Sequence, residues 1–340
     1  HLCSSKGIFM KTKIFFAGAC ATALLMSCNK DVTIREDAGN VPAETAELCV
    51  NIPLENATKA AGAGSESDEK ALSSVQVFVF TNSGNIEASK SSDSGSLEIS
   101  CTKGEKTVAA LVNAPALSDV RTLDDLRSRV SLLGDNGRQS FVMYGQKAVS
   151  VSAASVSVTL EVQRFAAKVV IGKITNKLEL AQYRTTPITI EGIYLINVAG
   201  NAALSGAGTP TLWLNKSKNE TQADGLYSET PASLSVEYAS SETSAHHFYC
   251  YPNPTSEDSS AAAWSPRHTR LVIEATVGGR KYYYPITLPV INPNTVYTVN
   301  ELTITRLGSD TPDLESVLGS ISFDITVAPW KTETVQSVTI

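Results

Sequence analysis

Apolar and polar side chains alternate with a period of two along most of this 340-residue sequence. Successive side chains of a β-strand point to opposite faces of a sheet, so this period is typical of strands with one buried face. Turn-forming pairs such as Asn253-Pro254 and Gly278-Gly279 separate the segments. Because the strands do not alternate regularly with helices, the pattern predicts an all-β protein built from β-sandwiches.

Composition excludes several classes of protein. The length suits about two domains, each with its own core. A net charge of -6 provides no basic surface for nucleic acid, and we predict no nucleic-acid partner. The sequence contains no uncharged apolar run of about 18 to 20 residues, which a membrane-spanning helix requires. DNA-binding regulators and multi-span transporters are therefore excluded.

The amino-terminal region has the pattern of an export signal. Lys11 and Lys13 precede the apolar stretch 14–26, and the following Leu25-Met26-Ser27-Cys28 resembles a bacterial lipobox. We expect a lipoprotein signal peptide over residues 1–27, with Cys28 as the lipid-carrying (palmitate-bearing) first residue of an outer-membrane precursor.

Residues 28–59 are predicted to be a propeptide that contains one strand. Pro53 has no backbone donor, so we expect this strand at a sheet edge, without neighbours on both sides. Its apolar positions, which we expect to plug a groove of the protein, are Leu48, Val50, Ile52 and Leu54.

A run of small and acidic residues follows that strand, over residues 56–69, and Lys59 is its single cation. Such a run cannot bury enough apolar surface to order itself, and exposed tips of this kind are favoured sites of proteolysis. We therefore predict a trypsin-like cut between Lys59 and Ala60. Arg35 is an earlier basic residue, but a cut there would leave the first strand attached to the protein.

The remaining chain is predicted to form two β-sandwich domains, over residues 60–164 and 165–340. The first also has one helical pattern, which Thr122 could cap, with Asp124 and Asp125 in the first turn, where acidic residues complement the helix dipole. The apolar positions of this pattern are Leu123, Leu126, Val130 and Leu133.

A second strand pattern near the carboxyl end has the same length, period and one-sided polarity as the first strand. Its apolar positions are Ile321, Phe323, Ile325 and Val327. Either strand could fill the same kind of groove. We hypothesise that cleavage frees the first strand and that the carboxy-terminal strand of another subunit replaces it, a form of β-strand addition. Such head-to-tail contacts do not close and so propagate into a filament.

Two alternatives to this hypothesis stay open at this point. Both strands could be ordinary edge strands of their own sandwiches. The inserting segment could be residues 320–327 or the tail up to residue 340.

The sequence offers little chemistry for catalysis. It lacks the nucleophile elbow, the zinc-protease motif and the phosphate-binding loop, so we predict neither an enzyme nor a cofactor. His246 and Cys250 would lie about 13 Å apart on a strand, too far to share one metal ion, and no metal site is predicted. The tyrosine run 282–284, together with Tyr249 and Tyr251, could form a sugar-binding platform, although β-propensity explains these tyrosines as well. Whether two of Cys49, Cys101 and Cys250 form a disulfide stays open.

Several segments, in this order, resemble the Bacteroidales fimbrillin family, the major subunits of type V pili, and the likeness spans nearly the whole chain. The segments are the lipobox at Cys28, Thr58-Lys59-Ala60-Ala-Gly-Ala-Gly, Ser74-Val-Gln-Val-Phe-Val-Phe80, Gln163-Arg-Phe-Ala-Ala-Lys-Val169, Phe248-Tyr-Cys-Tyr-Pro-Asn-Pro254, Asn294-Thr-Val-Tyr297 and Val327-Ala-Pro-Trp330.

The resemblance implies two transthyretin-like sandwiches of Greek-key, immunoglobulin-like type, with one short helix in the first. It also implies export as a lipoprotein, removal of the first strand by a trypsin-like surface protease, and polymerisation by donor-strand exchange. Lys59 would then precede the scissile bond, where the best-known members have arginine.

The function expected from these features is that of a fimbrial subunit precursor. The mature form would lie in extracellular fimbriae that support adhesion, and its partners would be other copies in a head-to-tail homopolymer, the protease, the lipid anchor of the precursor, and a ligand on a host or bacterial surface. The alternatives are an anchor or tip subunit of the same fimbriae, and a non-polymerising glycan-binding surface lipoprotein.

Overall fold

Strands dominate the structure, a computed structural model that describes residues 43–53, 69, 71–220, 225–232, 234–258, 263–314 and 321–330. The predicted all-β class is confirmed. The strands are β1 (Thr45–Asn51), β2 (Val75–Thr81), β3 (Ile86–Ser92), β4 (Ser96–Thr102), β5 (Gly104–Val112), β6 (Val130–Leu132), β7 (Met143–Val151), β8 (Ser155–Thr159), β9 (Gln163–Arg164), β10 (Ala167–Ile171), β11 (Ile174–Asn176), β12 (Ile188–Ile196), β13 (Val198–Ala199), β14 (Asn201–Ala203), β15 (Trp213–Leu214), β16 (Ser228–Glu229), β17 (Leu234–Val236), β18 (Ser241–Glu242), β19 (His246–Cys250), β20 (Arg270–Val277), β21 (Arg280–Thr287), β22 (Thr295–Ile304) and β23 (Ile321–Pro329).

The first sandwich packs a three-stranded sheet against a five-stranded sheet. The three-stranded sheet has the order β4-β1-β8, and the five-stranded sheet has the order β3-β2-β5-β7-β9. Alternate residues of the two sheets, such as Ile99 and Val108, form one hydrophobic core between them. The alternation in the sequence therefore corresponds to the inward faces of these strands.

Strand β2 is buried on both faces. Val75, Val77 and Val79 point into the core of the first sandwich, whereas Phe78 and Phe80 belong to a second hydrophobic cluster on the other side of the sheet. The five-stranded sheet is therefore covered twice, which explains why β2 lacks polar alternation along most of its length.

The second sandwich also consists of two sheets. One has the order β18-β11-β22-β10-β19, with β23 added along β22, and the other has the order β16-β12-β20-β21, with β17 paired to β12. Their facing side chains share a large core that extends to the outer face of β2 and β5. Two short pairs, β13-β15 and β6-β14, complete the strands.

The boundary predicted near Arg164 remains a prediction. Strand β9 ends at Arg164 in a sheet of the first sandwich, and β10 begins at Ala167 in the second. Residues 43–340, however, cluster as one compact unit. No helix in the described segments has the length and apolar character needed to span a membrane.

The predicted position of the first strand at a sheet edge is wrong. Strand β1 lies in the middle of its sheet, antiparallel to β4 and parallel to β8. Pro53 led to the error, because its missing backbone donor would exclude it from a central strand. The strand ends at Asn51, so Pro53 lies beyond the ladder and does not interrupt it.

The predicted helix is real but shorter than its pattern. Helix α1 covers Leu123–Ser128, and the Thr122 hydroxyl accepts a hydrogen bond from the Asp125 backbone at 3.0 Å, as the capping pattern predicts. Val130 was expected in this helix but begins β6, where it pairs with Ala203 of β14. Backbone donors of the segment after β14 bond the carbonyls of Arg127 and Arg129, so tertiary pairing ends the helix.

Gly145 of β7 marks a close approach that should not tolerate a side chain. A Cβ atom there would lie 2.0 Å from the backbone oxygen of Glu161, in the segment that follows β8. We predict that Gly145→Ala lowers the free energy of unfolding of the uncut protein by about 1 to 3 kcal/mol, through overpacking against backbone. Chemical denaturation would measure this loss.

Gly134 provides the matched control, because a Cβ there meets nothing within 4 Å. Gly134→Ala should change the free energy of unfolding by less than about 0.5 kcal/mol. Equal stability of the two variants would contradict the close approach.

Candidate functional site

The inward face of β1 is fully covered by the first sandwich. Leu48 and Val50 are 0% exposed, and Ala46 and Ile52 are 4% exposed. Ala46 is a buried position that the sequence pattern missed, because its small side chain does not stand out in an alternation of larger residues. These four side chains belong to the core between the two sheets.

Both edges of β1 are hydrogen-bonded. The strand registers with β4 along its whole length, from Thr45 opposite Thr102 to Asn51 opposite Ser96, and with β8 from Glu47 to Asn51. Bonds outside the ladder extend this attachment, since the Ile52 backbone nitrogen donates to the Gly95 oxygen at 2.7 Å. The strand is therefore an integral part of its sheet.

The outward face of β1 is polar and bonds to β4. The Ser100 hydroxyl donates to Glu47 at 2.6 Å, and the Ser96 hydroxyl donates to the Asn51 side chain at 2.7 Å. These contacts are exposed, so we expect each to contribute little, and the buried face accounts for most of the attachment.

Loss of β1 would open a groove in the first sandwich. In the described sheet, β1 alone joins β4 to β8, and the two do not pair with each other. The groove would be lined by apolar residues of β4, of β8 and of the opposite sheet: Leu97, Ile99, Cys101, Val158, Val77, Val108 and Ala110. Burial of Leu48, Val50 and Ile52 is worth about 5 to 9 kcal/mol together, as an upper bound.

Strand β23 is attached more weakly than β1. Among the described strands it pairs with β22 alone, in antiparallel orientation, with an irregularity in register between Val299 and Leu302. Ile321 and Ile325 pack partly against the core, whereas Phe323 is 42% exposed and Val327 is 51% exposed. The four apolar positions predicted for this strand thus share one face, and that face is incompletely covered.

The three described cysteines are free thiols. Cys250 is fully buried in the second core, and burial raises the pKa of its thiol to about 12. Burial likewise raises the pKa of Cys101. Thiols protonated in this way are poor nucleophiles, so these two side chains act as small apolar residues.

The tyrosines considered as a sugar platform mostly belong to the core. Tyr249, Tyr251 and Tyr284 are 0% exposed and Tyr282 is 6% exposed, so Tyr283 alone among them has a partly exposed ring. His246 lies against the Glu229 carboxylate at 3.1 Å. Among the described residues, no three His, Cys, Asp or Glu side chains lie close enough together to hold a metal ion.

Four of the predicted site residues lie outside the described residues. They are the lipidation position Cys28, the cleavage positions Lys59 and Ala60, and Leu54 of the first strand pattern. Their assigned roles stay predictions.

Comparison with solved structures shows the fold. A candidate cell adhesion protein of Bacteroides eggerthii is 20% identical, with a TM-score of 0.63 over 86% of this chain and 98% of that chain. A fimbrilin (FimA) of Porphyromonas gingivalis is 15% identical, with a TM-score of 0.58 over 84% and 97% of the two chains. The tip fimbrial protein Mfa3 of the same species, with a carboxy-terminal truncation, is 13% identical, with a TM-score of 0.55 over 84% and 100%.

Comparison with family models identifies the family. No curated protein matches the chain in sequence. The family model of the major fimbrial subunit protein (FimA) matches residues 46–235, more than half of the 340 residues, and this range begins within β1. The chain therefore belongs to the FimA family of major fimbrial subunits.

Proposed function

We propose that this protein is a structural fimbrial subunit that is exported as a lipoprotein, activated by cleavage after Lys59 and polymerised by exchange of β1 for β23 of another copy. Membership of the fimbrial subunit family supports the structural role and an association with other fimbrial subunits at the cell surface. The family is not a family of enzymes.

The observation that carries this proposal is the difference between the two strands. Strand β1 has two bonded edges and buries Leu48 and Val50 completely. Strand β23 has one edge bonded to a described strand and leaves Phe323 and Val327 about half exposed. A subunit that loses β1 would need a replacement strand, and β23 has a neighbour on one side alone among the described strands of its sheet.

The export and cleavage steps come from the sequence. The lipobox pattern at Cys28 supports a lipid anchor of the precursor in the outer membrane, and Lys59 is the cation between β1 and β2 that precedes the run of small residues. A cut there separates β1 from the rest of the chain. The filament would then grow head to tail, since each copy accepts one strand and donates another.

The glycan-binding alternative has less support. It depended on tyrosines of the second sandwich, and four of the five are buried in the core. An anchor or tip role within the same fimbriae would keep the fold described above. The adhesive ligand would be a molecule on a host or bacterial surface.

We predict that a trypsin-like protease makes one early cut in the full precursor, after Lys59. The trimmed protein should then form oligomers that resist mild detergent and give a ladder of bands on a gel, and 'ladders' below means these oligomer bands. The variant Lys59→Gln should resist this cut and stay monomeric, because β1 then remains covalently attached. Mass spectrometry of a digestion time course would locate the cut, and gel electrophoresis would score the ladders.

Arg35→Gln is the matched control for the cleavage site. Arg35 precedes β1, so its loss should change neither the cut that frees β1 nor the ladders. A trimmed protein that is as stable in calorimetry as the precursor, and that stays monomeric at high concentration, would disprove the exchange.

We predict that Phe323→Asp abolishes ladder formation by the trimmed protein but leaves the monomer folded. Phe323 is 42% exposed in its own subunit, so a carboxylate there remains hydrated, whereas insertion into an apolar groove would desolvate it. Circular dichroism and thermal unfolding of the uncut variant would test the monomer.

Leu180→Asp is the control for that substitution, because Leu180 is 51% exposed in the same sandwich and does not belong to β23. It should leave both the monomer and the ladders intact. An uncut Phe323→Asp monomer that unfolds would instead assign β23 permanently to its own sandwich.

A further inference from the structure

A buried carboxylate joins the end of β23 to the chain that follows the proposed cut. Glu69 is 2% exposed, although glutamate is seldom buried unless it is paired. Its Oε1 atom accepts hydrogen bonds from the Tyr249 hydroxyl at 2.7 Å and from the Lys168 ammonium at 2.6 Å. Its Oε2 atom accepts a bond from the Trp330 indole nitrogen at 3.1 Å.

The backbone of Glu69 is bound as well. Arg164 donates to its carbonyl oxygen from Nε at 3.0 Å and from Nη2 at 2.7 Å. Burial lowers the pKa of Arg164 to about 10, with partial compensation by Glu69, so the guanidinium stays charged at neutral pH. One buried carboxylate thus faces two buried cations, and each group depends on the others for compensation of its charge.

Trp330 is the anchor of β23. It directly follows Pro329, the last residue of the strand, and is 5% exposed, whereas the side chains of residues 321–329 are exposed or partly exposed. Its ring stacks on Tyr249 at 5.7 Å and meets Phe141 edge-on at 5.3 Å, with the Arg164 guanidinium at 4.6 Å from the ring centre. Its backbone nitrogen donates to the Asn294 oxygen at 2.8 Å.

We propose that Glu69 and Trp330 form a clasp that holds β23 in its own subunit, and that this clasp must open before β23 can be donated to another copy. The proposal rests on the strand exchange proposed above. Because Glu69 lies on the carboxyl side of Lys59, the cut leaves the clasp closed. Cleavage would empty the groove of the acceptor, and opening of the clasp would release the strand of the donor, as two separate steps.

The strength of the clasp follows from its surroundings. Hydrogen bonds to a charged acceptor are stronger than neutral ones, and an aromatic ring near a guanidinium adds a cation–π attraction. When Trp330 leaves, the buried Glu69 carboxylate loses one hydrogen-bond donor, and the Arg164 guanidinium loses the aromatic ring beside it. Apart from Trp330, the carboxy-terminal segment is held by the pairing of β23 with β22 and by side chains that are at most partly buried. Trp330 should therefore limit how often the strand detaches from β22.

The test is hydrogen exchange of the uncut full chain, which requires no polymerisation. Trp330→Phe keeps an aromatic ring but removes the indole donor. Loss of a hydrogen bond to a charged group raises the equilibrium constant for opening about tenfold or more, so exchange of the β23 amides should rise by about that factor. Amides of β12 and β20, in the other sheet of the same sandwich, should keep their protection.

Two further variants separate the clasp from a general loss of stability. Glu69→Gln removes the charged acceptor and should raise exchange of the β23 amides by a similar factor. The double variant with Trp330→Phe and Glu69→Gln should raise this exchange by less than the product of the two single factors, because both changes remove the same contact. Trp264→Phe is the matched control, because the Trp264 indole donates to the Asn197 side chain at 3.0 Å elsewhere in the second sandwich. It should not change β23 exchange.

Unchanged β23 exchange in Trp330→Phe would overturn the clasp, as would an equal rise in β12 and β20. Should Glu69→Gln fail to fold because two buried cations lose their partner, Trp330→Phe still decides the question. If the variants loosen β23 but trimmed wild-type protein never forms ladders, the clasp stands and the proposed exchange fails. If the experiments support both the clasp and the strand exchange, trimmed Glu69→Gln should form ladders about tenfold faster than trimmed wild type.

Discussion

The insertion of β1 between β4 and β8 is the interaction on which the first sandwich depends. Strands β4 and β8 do not pair with each other, so β1 alone makes the three of them a sheet. The same strand supplies Leu48 and Val50 to the core that the opposite sheet also lines. Because isolated strands are seldom stable in water, removal of β1 affects the ladder and the core together.

The opposite sheet limits the damage that such a loss would cause. Strand β2 directs Phe78 and Phe80 away from the first core, into the cluster that continues through the second sandwich. One face of the five-stranded sheet therefore stays covered when the other loses β1. If the proposed loss of β1 opened a groove in the first sandwich, this arrangement would keep the remaining strands in position.

Local patterns in the sequence predicted the strands well, because side-chain alternation reports directly which face of a strand is buried. The same reasoning misplaced β1, since Pro53 was assigned to the strand although the strand ends before it. It also extended helix α1 to Leu133, because the pairing of Val130 with Ala203 is invisible in a local pattern. Glu69 could not be found at all, since its partner Trp330 is 261 residues away and its own neighbourhood is polar.

Strands β1 and β23 look alike in sequence but differ in their number of described neighbours, and that difference would give the proposed exchange its direction. In its own subunit β23 pairs with one described strand and leaves Phe323 and Val327 about half exposed. In the position of β1 it would form ladders with β4 and β8 and would bury its apolar face in the core. Each proposed transfer would thus replace a one-sided attachment by a two-sided one and would remove apolar surface from water. The proposed clasp at Glu69 would oppose this gain through a single side chain of the carboxy-terminal segment, Trp330. Such a contact would slow the release of β23, whereas burial in the groove would determine the overall free energy of the exchange.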